Sequence, residues 1–193
     1  MNRPVSMRPV SAGILAGGAA SRMGGQDKGW IEHRGRSLIE RTLDAIRPQV
    51  SEVLVSANRN LERYRGLGYP VFTDDTADDY QGPLAGMVRL LEQASQPWLV
   101  CVPCDALEVP ADLVDRFLQR VEETGADIAV LADIDGIHPT FCLMRTNLAA
   151  DARACFERGE RAPRRWFTRH KWIEVQGNAP GNINTPADLR ALR

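Results

Sequence analysis

Two cations, Arg22 and Lys28, stand in a run of glycine and other small residues, LAGGAASRMGGQDK at positions 15–28. Glycine lets backbone N–H groups approach a ligand with no side chain in the way. Successive N–H groups in such a loop form a concave cradle for an anion. The guanidinium of Arg22 and the ammonium of Lys28 add full charges, so the stretch suits a polyphosphate better than a neutral ligand. Leu15, Ala16, Gly17 and Gly18 would supply the backbone of that cradle. Two other phosphate loops are excluded by spacing. A P-loop needs its lysine followed by Ser or Thr, whereas Lys28 follows Asp27 and precedes Gly29. Gly17, Gly18, Gly24 and Gly25 do not give the Gly-x-Gly-x-x-Gly dinucleotide fingerprint.

Further chemistry-bearing residues stand where apolar runs end. Asp105 closes the run at 98–103; a carboxylate there, beside a polyphosphate loop, is suited to a Mg²⁺ that keeps most of its waters. Its structural role would be a turn or helix cap ahead of 111–124. Ser56, at the end of another run, is short and polar, as a nucleoside contact should be. Asp74 and Asp75 form an acidic loop, and a carboxylate can accept both adjacent N–H donors of a guanine base. Gly82-Pro83 reads as a helix start whose free N–H groups could meet a ligand. His138 precedes an apolar run and is a binding candidate. Asn182 and Asn184, two residues apart, would share one strand face. Arg158, Arg161, Arg164, Arg165, Arg169 and Lys171 make a basic stretch around Trp166, either a solvated face or a patch for an anionic substrate.

These residues need elements to hold them. Strand-like runs are expected at 10–16, 52–57, 70–73, 98–103, 127–132, 140–144 and 171–175. Helical patterns are expected at 37–46, 83–94, 111–124, 147–158 and 186–192. The alternation predicts an α/β fold, a mostly parallel sheet with helices on both faces. One of the two adjacent runs at 127–132 and 140–144 should run antiparallel. Such sheets bind ligands at the carboxyl ends of their strands, where strand order reverses.

The 193 residues suit a single domain, its first half nucleotide-binding and its second half acceptor-binding. A net charge of −1 gives no global field toward nucleic acid or an anionic membrane, so phosphate affinity must come from local cations. No stretch is long and apolar enough to span a bilayer or to act as a secretory signal, and a cytoplasmic, reducing location is expected. The four cysteines fit that. Cys101 and Cys104 form a C-x-x-C, but strand alternation sends them to opposite faces, so they read as small buried hydrophobes.

The 15–28 stretch resembles the signature loop of the nucleotidyltransferase superfamily, and within it the LAGGxxxRMGxxDK pattern of the molybdenum cofactor guanylyltransferases. The N-x-N-T-P segment at 182–186 and the His138-Pro139 pair are similar to that family as well. The resemblance implies a three-layer, Rossmann-like α/β/α fold and transfer of GMP from GTP to the phosphate of Mo-molybdopterin. It implies Arg22, Lys28 and Asp105 as catalytic groups and Asp105 as the Mg²⁺ ligand. GTP would be bound by Leu15, Ala16, Gly17, Gly18, Lys28, Ser56, Asp75, Gly82 and Asp105. Spacing to Gly-Pro-Leu selects Asp75, with Asp74 as the alternative. His138, Asn182 and Asn184 would bind the acceptor, and molybdoenzyme apoproteins or other cofactor-biosynthesis proteins are expected partners. A cytidylyltransferase for the same cofactor and a non-catalytic nucleotide-binding module remain the rival readings.

Overall fold

The computed structural model describes residues 8–16, 27–74 and 82–178. Gly17, Gly18, Arg22, Asp75, Asn182, Asn184 and the helix expected at 186–192 lie outside the described residues. In chain order the first elements are β1 (Val10–Leu15), the short strands β2 (Glu32–His33) and β3 (Arg36–Ser37), α1 (Leu38–Ile46) and β4 (Glu52–Ser56). Then come α2 (Leu61–Arg65), β5 (Val71–Phe72), α3 (Pro83–Gln93), β6 (Trp98–Pro103) and α4 (Leu113–Thr124). The remainder is β7 (Ile128–Asp133), β8 (Gly136–Arg145), α5 (Ala149–Glu157), α6 (Pro163–Phe167) and β9 (Trp172–Gln176).

Seven strands form one sheet in the order β5-β4-β1-β6-β8-β7-β9. Only β8 runs antiparallel to its neighbours, β6 and β7. It is longer than the run expected at 140–144 because β7 returns through a tight turn, in which the Asp133 carboxylate accepts the N–H of Asp135 at 2.9 Å. The chain steps from β1 to β4 to β5 on one side, then returns to place β6 on the other side of β1. Strand order therefore reverses at β1, and a crevice is expected beyond the carboxyl ends of β1 and β6.

Side-chain alternation divides the interior into two layers. Val10, Ala12 and Ile14 of β1 face Ile39, Leu43 and Ile46 of α1 and Phe117 and Val121 of α4. On the opposite face, Leu54, Leu99 and Cys101 meet Leu84, Met87 and Leu90 of α3, with Cys155 of α5 and Trp166 and Phe167 of α6. Helix starts are set by sequence. Ser37 and Glu40 form a capping box at α1, with the Ser37 N–H donating to Glu40 at 2.9 Å.

Two short helices, α2 and α6, were not expected, nor was the β2–β3 hairpin, whose Arg34-Gly35 turn takes positive φ at both residues (52° and 76°). Such turns usually announce themselves by Asn-Gly or Asp-Gly, and arginine in that place hides the signal. The basic stretch also reads differently in three dimensions. Trp166 is fully buried, and Arg161 donates to the carbonyls of Phe156 and Glu160 with its guanidinium over the Phe156 ring. Trp166 is thus part of the core, and Arg161 ties the end of α5 to the segment that leads into α6.

Candidate active site

Backbone bonds align the carboxyl ends of the central strands. The Ala16 N–H donates to Ser56 O at 2.8 Å, and the Cys104 N–H donates to Leu15 O at 3.0 Å. Leu15 and Ala16 thus stand between β4 and β6, where the glycine-rich stretch departs. Immediately beyond β6, Asp105 is 9% exposed. Its Oδ2 accepts a bond from Lys28 Nζ at 3.0 Å. The residues expected to carry phosphate and metal chemistry, 77 positions apart in sequence, are therefore in direct contact at the switch point.

Lys28 opens a single turn of 3₁₀ helix, Lys28–Trp30, capped by the Asp27 side chain. Asp27, Tyr64 and Asn60, which hold this turn, were not singled out from the sequence. Asp27 lies inside the signature stretch and could have been read as a cap, but Tyr64 carried no signal at all. Cys104 sits against the same groups. Burial, and then the nearby carboxylates of Asp105 and Asp27, push its thiol well above the usual cysteine range. It stays protonated and acts as packing, not as a nucleophile. All four cysteines are free and buried, Cys101 on one face of the sheet and Cys104 on the other, as alternation requires.

The Ser56 side chain is buried and packs toward α3, its Oγ only 2.9 Å from where a Cβ on Gly86 would stand. The residue that reaches outward here is Asn58. Its amide donates to Asp74 Oδ2 at 2.8 Å, and its carbonyl oxygen accepts the Asp74 N–H at 3.1 Å. Asp74 Oδ1 is buried and has no hydrogen-bond partner among the described residues. Gly82 caps α3 with φ 80°, and a Cβ there would lie 2.9 Å from the Arg161 carbonyl oxygen. His138 belongs to β8, four residues before Cys142, which pairs with Cys101 of β6. Because the two strands are antiparallel, His138 lies toward the sheet end that carries Asp105. Its Nε2 is 2.9 Å from Asp133 Oδ1.

Among the described residues no group of three or more His, Cys, Asp or Glu is placed to hold a metal. The donor set fits a hard cation that uses one carboxylate and fills its sphere with water and substrate phosphate, the habit of Mg²⁺. Asp105 is the carboxylate that stands at this place. No helix among the described residues is long and apolar enough to cross a membrane.

A mostly parallel sheet, helices on both faces, a glycine-rich stretch after β1 and a lysine–aspartate pair at the switch point define an α/β nucleotidyltransferase. A sequence profile of the MobA-like NTP transferase domain matches residues 12–174, and the chain belongs to that family. It is 41% identical over 187 residues to a molybdenum cofactor guanylyltransferase of Shewanella woodyi, with 95% of each chain covered. Its fold matches the crystal structure of molybdopterin-guanine dinucleotide biosynthesis protein A from Archaeoglobus fulgidus with a TM-score of 0.77. That match has 19% identity and covers 94% of this chain and 96% of the other. A Mycobacterium tuberculosis protein solved in complex with manganese matches with a TM-score of 0.65 at 17% identity, covering 95% and 97%.

Proposed function

We propose that this chain transfers GMP from GTP to the phosphate of Mo-molybdopterin, forming the guanine dinucleotide cofactor and releasing pyrophosphate. The observation that carries the reading is the Lys28–Asp105 contact at 3.0 Å, placed where β1 and β6 end. The acceptor phosphate oxygen attacks the α-phosphorus of GTP, and the α–β bridging P–O bond breaks. A phosphate monoester is largely dianionic near neutral pH, so the nucleophile needs little deprotonation. Positioning and charge stabilisation then suffice.

Leu15 and Ala16 only lead into the cradle, because Leu15 is laddered within the sheet and the Ala16 N–H is taken by Ser56 O. Lys28, Arg22 and the N–H groups of Gly17 and Gly18 hold the triphosphate and stabilise the departing pyrophosphate. Asp105 would hold Mg²⁺, which supplies charge neutralisation at the reacting phosphates; the manganese-bound relative supports a divalent ion. Once a triphosphate arrives, Lys28 exchanges its carboxylate partner for phosphate and leaves Asp105 available to the cation. Asp75 or Asp74 accepts the guanine N–H donors, and Gly82 lets α3 begin beside the nucleotide.

The second half of the chain takes the acceptor, through His138, Asn182 and Asn184. A cavity of about 860 Å³ begins one residue beyond Asp105, at Ala106, and reaches Asn178. Its lining is mixed in charge: Arg34 and Arg41 stand beside Glu108 and an Arg36–Asp44 ion pair, so two arginines at most are left for a phosphorylated acceptor. Four free thiols agree with a reducing compartment.

The test is pyrophosphate release with Mg²⁺ and Mo-molybdopterin, with GTP, CTP and ATP in separate reactions. Release with GTP, reduced at least about 100-fold in Asp105→Ala and in Lys28→Ala proteins of unchanged circular dichroism, is expected. Preference for CTP would change the product. GTP binding without release from any nucleotide would identify a binding module instead.

A further inference from the structure

The loop that carries Lys28 is anchored from a distant part of the chain. Asp27 Oδ1 accepts the Tyr64 hydroxyl at 2.7 Å and the Gly29 N–H at 3.2 Å. Its Oδ2 accepts the Asn60 side-chain amide at 3.0 Å. The Asp27 carbonyl takes the N–H of Trp30, and that of Lys28 takes the N–H of Ile31, so the turn is closed by the backbone too. Trp30 packs on Tyr64 with ring centroids 5.0 Å apart, and the Arg63 guanidinium lies 3.9 Å over the indole.

Each partner is specialised for this contact. Tyr64 is fully buried in the layer beneath α1, yet its hydroxyl reaches a loop carboxylate. Burial, and then the nearby Cys104 and Asp27, push its pKa far above the ordinary tyrosine value, so it remains a donor at any working pH. Asn60 adopts the left-handed conformation, φ 50°, which asparagine tolerates better than most residues. Gly29 has no room for a side chain, since a Cβ would stand 2.5 Å from the Tyr64 oxygen. The same β4–α2 connection binds Asp74 through Asn58. One short segment, 58–64, thereby fixes both the turn that opens with Lys28 and the acidic residue on the base side.

We propose that Asp27, with Tyr64 and Asn60, is a positioning device that holds Lys28 at the angle from which its ammonium meets the triphosphate. This rests on the assignment of Lys28 to phosphate. A purely structural role for the three residues would lower stability and leave catalysis per folded molecule unchanged. A positioning role acts through Lys28 and disappears when Lys28 is gone.

The experiment is a double-mutant cycle on steady-state pyrophosphate release from GTP and Mo-molybdopterin, combining Tyr64→Phe with Lys28→Ala. Tyr64→Phe is expected to lower kcat about tenfold with the KM for GTP changed less than about twofold, because misplacement by a fraction of an ångström penalises the transition state most. In the Lys28→Ala background the same substitution should change kcat less than about twofold. Asn60→Gly, which accepts the left-handed backbone while deleting the amide, gives a second reading if Tyr64→Phe unfolds. Asp27→Asn, which retains Oδ1 as acceptor, should keep more activity than Asp27→Ala. Equal kcat losses from Tyr64→Phe in both backgrounds, or none in either, would overturn the positioning role while leaving Lys28 its own. Full activity in Lys28→Ala itself would overturn the assignment beneath it.

Discussion

Asp74 has one carboxylate oxygen bonded to Asn58 and the other buried with no partner among the described residues. A buried acceptor left unsatisfied costs about 1–3 kcal/mol, a cost relieved when a donor arrives. Guanine brings two adjacent N–H donors; cytosine and adenine present an amino group beside an acceptor nitrogen. Asp74→Asn is therefore expected to raise the KM for GTP about tenfold, roughly 1.4 kcal/mol, and to narrow the preference for GTP over ATP in direct competition. Asp75→Asn is the comparison. If only Asp75→Asn has that effect, Asp75 reads the base and Asp74 merely anchors its loop. The pair was visible in the sequence, because two carboxylates between a strand and Gly-Pro stand out. The Asn58 brace was not visible, since its partner is set by the pairing of β4 with β5 and not by any local pattern. Lys28 and Asp105 were legible for the opposite reason: Lys28 closes the glycine-rich stretch at 15–28, and Asp105 follows the apolar run that marks where β6 must end.

At the scale of elements, the site depends on how closely α3 approaches the strand ends. Gly86 lies under Ser56 and Leu15, at distances of 2.9 and 3.0 Å from a hypothetical Cβ, and Gly82 turns the chain into the helix. Gly82 has φ 80° and ψ 172°, a region nearly confined to glycine. Alanine there would also press on the Arg161 carbonyl, a backbone atom that cannot rotate away. Gly82→Ala should cost about 2–3 kcal/mol, seen as a Tm lower by roughly 5–10 °C. Gly68→Ala is the control, because Gly68 also has positive φ, 83°, but open space around it. It should lose only the backbone term, about 1 kcal/mol. Equal losses at both positions would mean that the Arg161 contact has no weight. The major strands and helices were legible because apolar runs and 3.6-residue periodicity persist over several turns. The five-residue helices α2 and α6 were not, being too short for a period to develop. Trp166 misled for a related reason: arginines flank it in sequence, but on α6 the arginines face outward while the indole turns into the core.

For the molecule as a whole, acid should weaken the fold through carboxylates that tie separate elements together. Glu52 is the clearest. Partial burial raises its pKa, but bonds from Ser11 Oγ and from the N–H and hydroxyl of Ser95 outweigh that and leave it below the ordinary 4.5. It thereby joins β4 to β1 and to the connection before β6. Asp151 is lowered from 3.8 chiefly by the Trp166 indole N–H at 2.9 Å; partial burial opposes this, and His170 at 3.0 Å reinforces it. It ties α5 to α6 and to the residues leading into β9. In both cases the folded pKa lies below the unfolded one, so the unfolded chain takes up protons first as pH falls. Their stabilisation is complete above the unfolded values, about pH 4.5 for Glu52 and 3.8 for Asp151, and is lost as pH drops through the lower folded values. The urea midpoint should therefore be level from pH 7 to about 5 and fall steadily toward pH 3. Glu52→Gln and Asp151→Asn should each lower the midpoint at pH 7 and flatten the acid limb. The two groups share no bonding partner, so their effects should add in the double variant. Some slope will persist from Glu40, whose bonds from Ser37 also depress its pKa. A double variant with the parent's full acid slope would place the titrating groups elsewhere, and the ties between α5 and α6 and around β4 would then owe their strength to packing alone.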